Sequence, residues 1–324
     1  EKNAADIKRH IIQNNIYGVD IEKGAVDIAR LRFWLSLIVD EETPRFLPNL
    51  DFKITQGNSL LEQYKGVDLS KMTELSSEQG EGTQLTWFDN MLDVLRLDLR
   101  KKLDEYYNCS DHQRKEQLKQ EIIENVKQQL REQSINVDFG DLDLSANDQF
   151  TLWHTWFYDV FSQGGFDIVI GNPPYVFTRD VEFSDDFKAN IESKYFSLLE
   201  KSKKKTKANQ SGKINLFATF VICGLILNKT NCFLNYILPN NILRTTTYDR
   251  IRKYLLDNTI IHQIVDLGAG VFDNVTASTI ILLLQKQRDN ESYVKVISDI
   301  EDFEKKLYTI KEIKQNILLK ISIM

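Results

Sequence analysis

Apolar residues recur at helical spacing over residues 3–14, at Ala4, Ile7, Ile11 and Ile12. The period returns over residues 23–39, at Ala25, Ile28, Ala29, Leu31, Leu35 and Ile38. Between them, Ile16 to Ile21 is a short apolar run closing on the carboxylate of Asp20, and Phe52 to Ser59 repeats the theme with a run ending in glycine and an amide. This alternation predicts βαβ units and a parallel sheet with right-handed crossovers. Residues 64–86 carry no period and read as a loop. Two helices follow. The first runs from Trp87 to Tyr107 through Phe88, Met91, Leu92, Leu95, Leu99 and Leu103; the second runs from Asp111 to about Gln133 with the stripe Leu118, Ile122, Val126 and Leu130. Ser110 with Gln113 makes a capping box between them. The pair reads as an antiparallel hairpin inserted into the α/β fold, either a brace or a clamp for a macromolecule or partner.

In the second half, the consecutive β-branched residues Ile168, Val169 and Ile170 predict a strand covered on both faces, with Gly171 allowing the backbone to turn. Pro173 ends the ladder and holds Asn172 in an extended conformation at the strand's carboxyl end, the edge where open α/β sheets bind ligands. Residues 178–212 are polar and unpatterned. Lys201, Lys203, Lys204, Lys205 and Lys207 crowd there into a basic loop, a solvated face or a phosphate contact. Asn215 to Leu227 predicts a buried helix, Phe233 to Leu238 a strand, Tyr248 to Leu256 a helix, and Ile260 to Leu267 with Ser278 to Gln285 two strands around a glycine-containing turn.

Size and composition narrow the class. The 324 residues allow one large or two ordinary domains, and 42% hydrophobic with 27% charged residues is ordinary for a globular protein. A formal charge of -6 argues against a uniformly basic nucleic-acid coat but leaves room for a local basic groove. Cys109, Cys223 and Cys232 form no CxxC pair, so neither a metal cluster nor a disulfide framework is expected, and a reducing cytoplasm is the default compartment. The longest apolar run, Ile214 to Leu227, is shorter than the roughly 20 residues of a membrane span. No membrane association is expected.

Chemistry concentrates at Asn172-Pro173-Pro174-Tyr175. Asn172 offers a side-chain carbonyl, and the Pro173 carbonyl is released where the ladder ends, so two acceptors converge. Held by both, an sp² amino group would turn its lone pair outward toward an electrophilic methyl. Tyr175 adds a flat face beside them.

This loop, after Phe166-Asp167-Ile168-Val169-Ile170-Gly171, resembles the catalytic motif of the gamma-class, S-adenosylmethionine-dependent N6-adenine DNA methyltransferases of type II restriction-modification and phage-defence systems. The tetrapeptide by itself is shared with methyltransferases of protein glutamine and of RNA guanine. Further stretches extend the likeness in order. Tyr17-Gly18-Val19-Asp20-Ile21 resembles the second family motif, so Asp20 and Ile21 are expected at the cofactor, Asp20 on its ribose hydroxyls. Gln56-Gly57-Asn58-Ser59 resembles the third, which places Asn58 on the adenine edge with Ser59 beside it. Asn215-Leu216-Phe217 resembles the fifth, a wall between cofactor and target base, and Leu238-Pro239-Asn240 the sixth. Gly270-Val271-Phe272 resembles the eighth, whose aromatic ring packs on the flipped base opposite Tyr175. Extruding a base costs a few kcal/mol, and stacking on aromatic side chains returns about 1 to 3 kcal/mol per base, so two rings on opposite faces would offset most of the cost.

The resemblance implies a Rossmann-like methyltransferase fold: an α/β, mostly parallel sheet with an antiparallel hairpin at its C-terminal end and an inserted helical hairpin. S-adenosylmethionine is the implied cofactor, double-stranded DNA the implied substrate, and restriction or defence-system subunits the implied partners. Asn172 is expected to serve both the target amine and the cofactor. The glycine-rich first motif should precede the opening helix and is absent. Asp266-Leu267-Gly268-Ala269-Gly270 resembles it, but a cofactor loop should open a helix, whereas this stretch should return into a strand. The expected partition is a partial cofactor-binding half at 1–62, the helical insertion at 63–150, the catalytic half at 151–290, and at 291–324 the start of a linker to a DNA-recognition domain. With Glu1 first, the expectation is the catalytic part of a larger enzyme. A cofactor-incompetent scaffold or DNA-binding piece is the alternative from another class.

Overall fold

A computed structural model describes residues 3–41, 43, 45–48, 50–76, 87–109, 111–133, 142–176, 184–199, 215–271, 278–289, 291–302 and 304–317. The chain divides into two units, residues 1–162 and 163–324. The boundary leaves 151–162 with the cofactor half and the insertion, where the sequence pattern assigned those residues to the catalytic half.

In the first unit, helix α1 (Ala4–Asn14) is capped by the Asn3 side chain, which accepts from the Ala5 amide. It leads into strand β1 (Gly18–Asp20), helix α2 (Lys23–Asp40) and strand β2 (Ile54–Gln56). β1 and β2 pair in parallel, Gly18 opposite Ile54 and Asp20 opposite Gln56, so both strands end at the same level. Ile12, Val26, Leu37, Leu50 and Ile54 form the core, with Ala29, Phe33 and Trp34 packed against it. The buried side of α2 therefore differs from the expected one. Val26, Ala29, Phe33 and Leu37 share the inward stripe, while Ile28, Leu31, Leu35 and Ile38 are each 50–60% exposed. A helix that is apolar on two sides does not reveal by period alone which side meets the sheet.

Helices α3 (Trp87–Asn108) and α4 (His112–Glu132) pack together as the predicted hairpin. Leu92, Leu99, Leu103 and Tyr106 are buried on one helix and Leu118, Ile122, Val126 and Leu130 on the other. The cap of α4 is Asp111, whose carboxylate accepts from the Arg114 amide at 2.7 Å. This replaces the expected capping box, whose Ser110 lies outside the described residues. A two-strand antiparallel pair, β3 (Gln63–Tyr64) with β4 (Val67–Asp68), occupies the start of the expected loop, and two single-turn helices, α5 (Trp153–Trp156) and α6 (Tyr158–Phe161), close the unit.

The second unit holds a six-stranded sheet. Strand β5 (Phe166–Gly171) and helices α7 (Asp185–Lys194) and α8 (Leu216–Leu227) precede β6 (Asn228–Pro239); helix α9 (Asp249–Asn258), β7 (Ile260–Gly268), β8 (Thr279–Gln285), β9 (Tyr293–Asp302) and β10 (Leu307–Lys314) follow. The strand order is β10-β9-β7-β8-β6-β5. β5, β6, β7 and β9 run one way; β8 and β10 run against them. The fold is thus α/β with a mixed sheet of mostly parallel strands, and β8 returns between β6 and β7. Asp266 to Gly268 close β7, and β8 follows from Thr279. Helix α8 is apolar all round and almost wholly buried.

Four expectations change here. β5 is an edge strand paired only with β6 among the described residues, and Ile168 and Ile170 are 64% and 74% exposed. Consecutive β-branched residues mark a strand without counting its neighbours. Gly171 has no left-handed backbone angle. Its missing side chain instead admits the Tyr236 ring, which would lie 3.1 Å from a Cβ there. Part of the polar stretch 178–212 is ordered as α7, capped by Ser184; Lys201 to Lys207 lie outside the described residues. Beyond residue 291, where a linker was expected, β9 and β10 extend the sheet, because alternation in Tyr293 to Ile297 suits β9 to the β7 edge.

Candidate functional site

Two sets of side chains sit at carboxyl ends of strands, one in each unit. In the first, β1 delivers Asp20 to the surface. Its carboxylate accepts from the Glu22 amide at 2.9 Å through Oδ1, which holds the turn into α2 and leaves Oδ2 without a partner among the described residues. The Asp20 carbonyl accepts from the Gly57 amide at 2.9 Å and ties the two strand ends together. Ile21 is 49% exposed, and its carbonyl accepts from the Gln56 side chain at 3.0 Å. Asn58 folds its own loop: Oδ1 accepts from the Leu60 amide at 3.1 Å, and its carbonyl accepts from the Leu61 amide. That bond makes Nδ2, a donor, the free end of the amide. The Ser59 carbonyl accepts from the Trp153 indole at 3.1 Å. Asp20, Ile21, Asn58 and Ser59 are thus brought together.

In the second unit, residues 172–176 leave β5 without regular secondary structure. Asn172 is exposed, and its amide has no internal hydrogen bond among the described residues; Pro173 is buried and Pro174 exposed. The loop is held at two points. The Tyr175 hydroxyl donates to the Ile237 carbonyl of β6 at 3.2 Å, and the Leu216 amide of α8 donates to the Val176 carbonyl at 2.8 Å. Burial pushes the Tyr175 hydroxyl above its ordinary pKa. Its ring meets Phe217 edge-on at 6.3 Å, and Phe217 in turn contacts Tyr248 at 5.2 Å.

Asn215 and Phe217 are buried, at 2% and 0% exposure, in the helix whose burial the sequence predicts. Asn215 caps α8 by accepting from the Phe217 amide, and Phe217 backs Tyr175 from beneath. Phe272, the second stacking ring, lies outside the described residues. The residues that pattern reading missed are Thr151, Trp153 and His154, which cross the Asn58 loop. Their only sequence signal was a cluster of aromatics in an otherwise unassigned segment.

The Eco57I restriction-modification methylase family matches residues 14–272. The chain belongs to that family. The match runs from before Asp20 to Phe272 and takes in both strand-end clusters. Among the relatives, a type II restriction enzyme and methyltransferase of Methanocaldococcus jannaschii is 25% identical over 86% of this chain and 26% of its own length. The methylase subunit of the type I restriction enzyme MpnII of Mycoplasma pneumoniae is 26% identical over 52% of this chain and 30% of its own. The type II restriction enzyme and methyltransferase Eco57I of Escherichia coli is 29% identical over 43% and 13%. The chain therefore spans less than a third of the length of these relatives. Among solved structures, the type ISP restriction-modification enzyme LlaBIII bound to DNA aligns over 92% of the chain at 12% identity and a TM-score of 0.47. A type I methyltransferase subunit from Streptococcus thermophilus aligns over 54% at 23% identity and 0.32. No helix among the described residues is long and apolar enough to cross a membrane.

Proposed function

We propose that the protein carrying this chain methylates the N6 amino group of adenine in double-stranded DNA, using S-adenosylmethionine, as part of a restriction-modification or phage-defence system. The observation that carries the reading is the loop after β5, with an exposed and internally unbonded Asn172 amide on a frame pinned by Tyr175 to β6 and by Val176 to α8. A flexible asparagine would spend conformational entropy on every substrate; one on a pinned loop is preorganised.

The side chains of the first unit suit the cofactor. Asp20 keeps one carboxylate oxygen for a vicinal diol, Ile21 offers an apolar surface to a purine, and Asn58 presents its NH₂ to a ring nitrogen. Since Asn58 Oδ1 is already used by Leu60, the amide suits an acceptor on the adenine edge better than its amino group. When bound, S-adenosylmethionine supplies the electrophilic methyl group. On the protein side, Asn172 Oδ1 and the Pro173 carbonyl accept the two amine hydrogens and direct the nitrogen lone pair away from the ring. Tyr175 stacks on one face of the extruded base, with Phe272 assigned to the other.

Methylation of duplex DNA by the full-length protein, with modified nucleosides identified after digestion, tests the reading. N6-methyladenine is the expected product. Asn172→Ala should lower kcat at least about a hundredfold. Activity near wild type in that variant sinks the role of the loop, and methylation confined to protein glutamine or RNA transfers the chemistry to another substrate.

A further inference from the structure

Loop 57–62 carries two of the residues assigned above to the cofactor, and residues 150–154 cross it. Four hydrogen bonds and one close approach are among the contacts that join them, all within the first unit. The Thr151 amide donates to the Leu61 carbonyl at 2.8 Å. The Trp153 indole donates to the Ser59 carbonyl at 3.1 Å. Glu62, only 2% exposed, accepts the His154 amide at 2.9 Å on Oε1 and faces His154 Nδ1 at 2.8 Å on Oε2. At Gly57 the crossing is so close that a Cβ would lie 2.1 Å from Thr151 Oγ1 and 2.9 Å from the Phe150 carbonyl. Glycine is needed there for approach. The crossing segment is itself fixed: the His154 ring packs on Phe161 at 4.3 Å, its carbonyl accepts from Thr73 Oγ1 at 3.3 Å, and Tyr64 meets Phe150 at 5.5 Å.

We propose that residues 150–154 are a positioning strap for the cofactor-binding loop, with His154 and Trp153 as positioning residues that set where Asn58 and Ser59 stand. The proposal rests on the reading that those two residues face S-adenosylmethionine. Without the strap, the loop keeps the Asp20 carbonyl at its entry and the Asn58 turn within it, but its exit hangs on a buried carboxylate that has lost its ring partner. A buried carboxylate in that state relaxes toward water and takes the loop with it. Neither His154 nor Trp153 need touch the ligand. Each acts through backbone or through Glu62, so the expected defect is in binding and not in the chemical step.

The experiment uses the full-length protein, with S-adenosylmethionine affinity measured by calorimetry, duplex-DNA affinity measured separately, and kcat and KM for both substrates. His154→Ala should raise Kd and KM for the cofactor about tenfold. The value of kcat at saturating cofactor and the DNA affinity should stay within about twofold. His154→Asn keeps a donor near the Nδ1 position and should restore most of the lost affinity. Trp153→Phe removes one N–H and keeps most of the ring system, and should weaken cofactor binding about threefold to fivefold. Unchanged cofactor affinity in a folded His154→Ala protein overturns the strap, as does an asparagine variant no better than alanine, or parallel loss of cofactor and DNA affinity. If His154→Ala does not fold, Trp153→Phe decides by the same criteria. A wild-type protein that methylates DNA and binds cofactor while these variants do likewise removes the strap alone; a wild type that binds no S-adenosylmethionine removes the functional reading beneath it.

Discussion

Tyr106 shows how single residues in this chain carry costs that pattern cannot display. Its ring packs on Phe52 at 4.7 Å under the Lys115 ammonium at 4.8 Å, so the position is a good one for an aromatic. Its hydroxyl is buried without a hydrogen-bond partner among the described residues. Replacing it should remove an unmet desolvation cost, and Tyr106→Phe is expected to stabilise the protein by about 1 kcal/mol in urea denaturation. The same substitution has a pH signature. Burial holds the Tyr106 pKa above its ordinary 10.0. The unfolded chain therefore loses this proton first, and above pH 10.0 it binds fewer protons than the folded one. The resulting stability is present below that pH and lost as pH rises through the folded value. Tyr17 moves in the same direction, while the buried Lys53 ammonium, pushed down by desolvation, opposes both. The fall in stability above pH 10 should be shallower in Tyr106→Phe than in wild type; equal slopes would mean that the hydroxyl is solvated.

At the scale of elements, β5 is the instructive case. Ile168-Val169-Ile170 announces a strand, and the strand is there, with Asn172 delivered at its carboxyl end. What the run of β-branched residues could not announce is the number of neighbours. With β6 as its one neighbour among the described residues, β5 presents an edge and the exposed pair Ile168 and Ile170, a surface that invites strand pairing. Ile170→Lys in the 324-residue chain should cost less than about 0.5 kcal/mol and reduce self-association in light scattering. A loss of several kcal/mol would show that the face is covered. The capping of α4 teaches the same lesson on a smaller scale. Ser110 lies outside the described residues, and among these it is the Asp111 carboxylate that meets the Arg114 amide.

For the whole molecule, the residues assigned to the cofactor and those assigned to the amine belong to different units, Asp20 and Asn58 to residues 1–162 and Asn172 to residues 163–324. Defects should separate accordingly. Asp20→Ala is expected to raise KM for S-adenosylmethionine about tenfold with DNA affinity within about twofold, whereas Asn172→Ala is expected to act mainly on kcat; steady-state kinetics with each substrate varied in turn distinguishes them. Most of both clusters was legible in the sequence because acid, amide and paired proline follow apolar runs directly, and such local chemistry survives in linear order. The burial of Asn215 and Phe217 was legible too, because the apolar run through Leu227 predicts a buried helix, but the edge-on contact of Phe217 with Tyr175 was not, since it joins residues far apart in sequence.

The sequence by itself determined the strands β1, β2 and β5 to β8, what each delivers at its end, and that the chain carries an inserted helical hairpin. Those properties follow from periodicity, proline and glycine within windows of about ten residues. Only the tertiary structure decided that β8 returns between β6 and β7, that β5 stands at an edge, that residues after 291 continue the sheet, and that Thr151 to His154 lie across Gly57. The physical reason is separation along the chain. The Trp153 indole and the Ser59 carbonyl are 94 positions apart, and no local preference of either residue encodes their meeting.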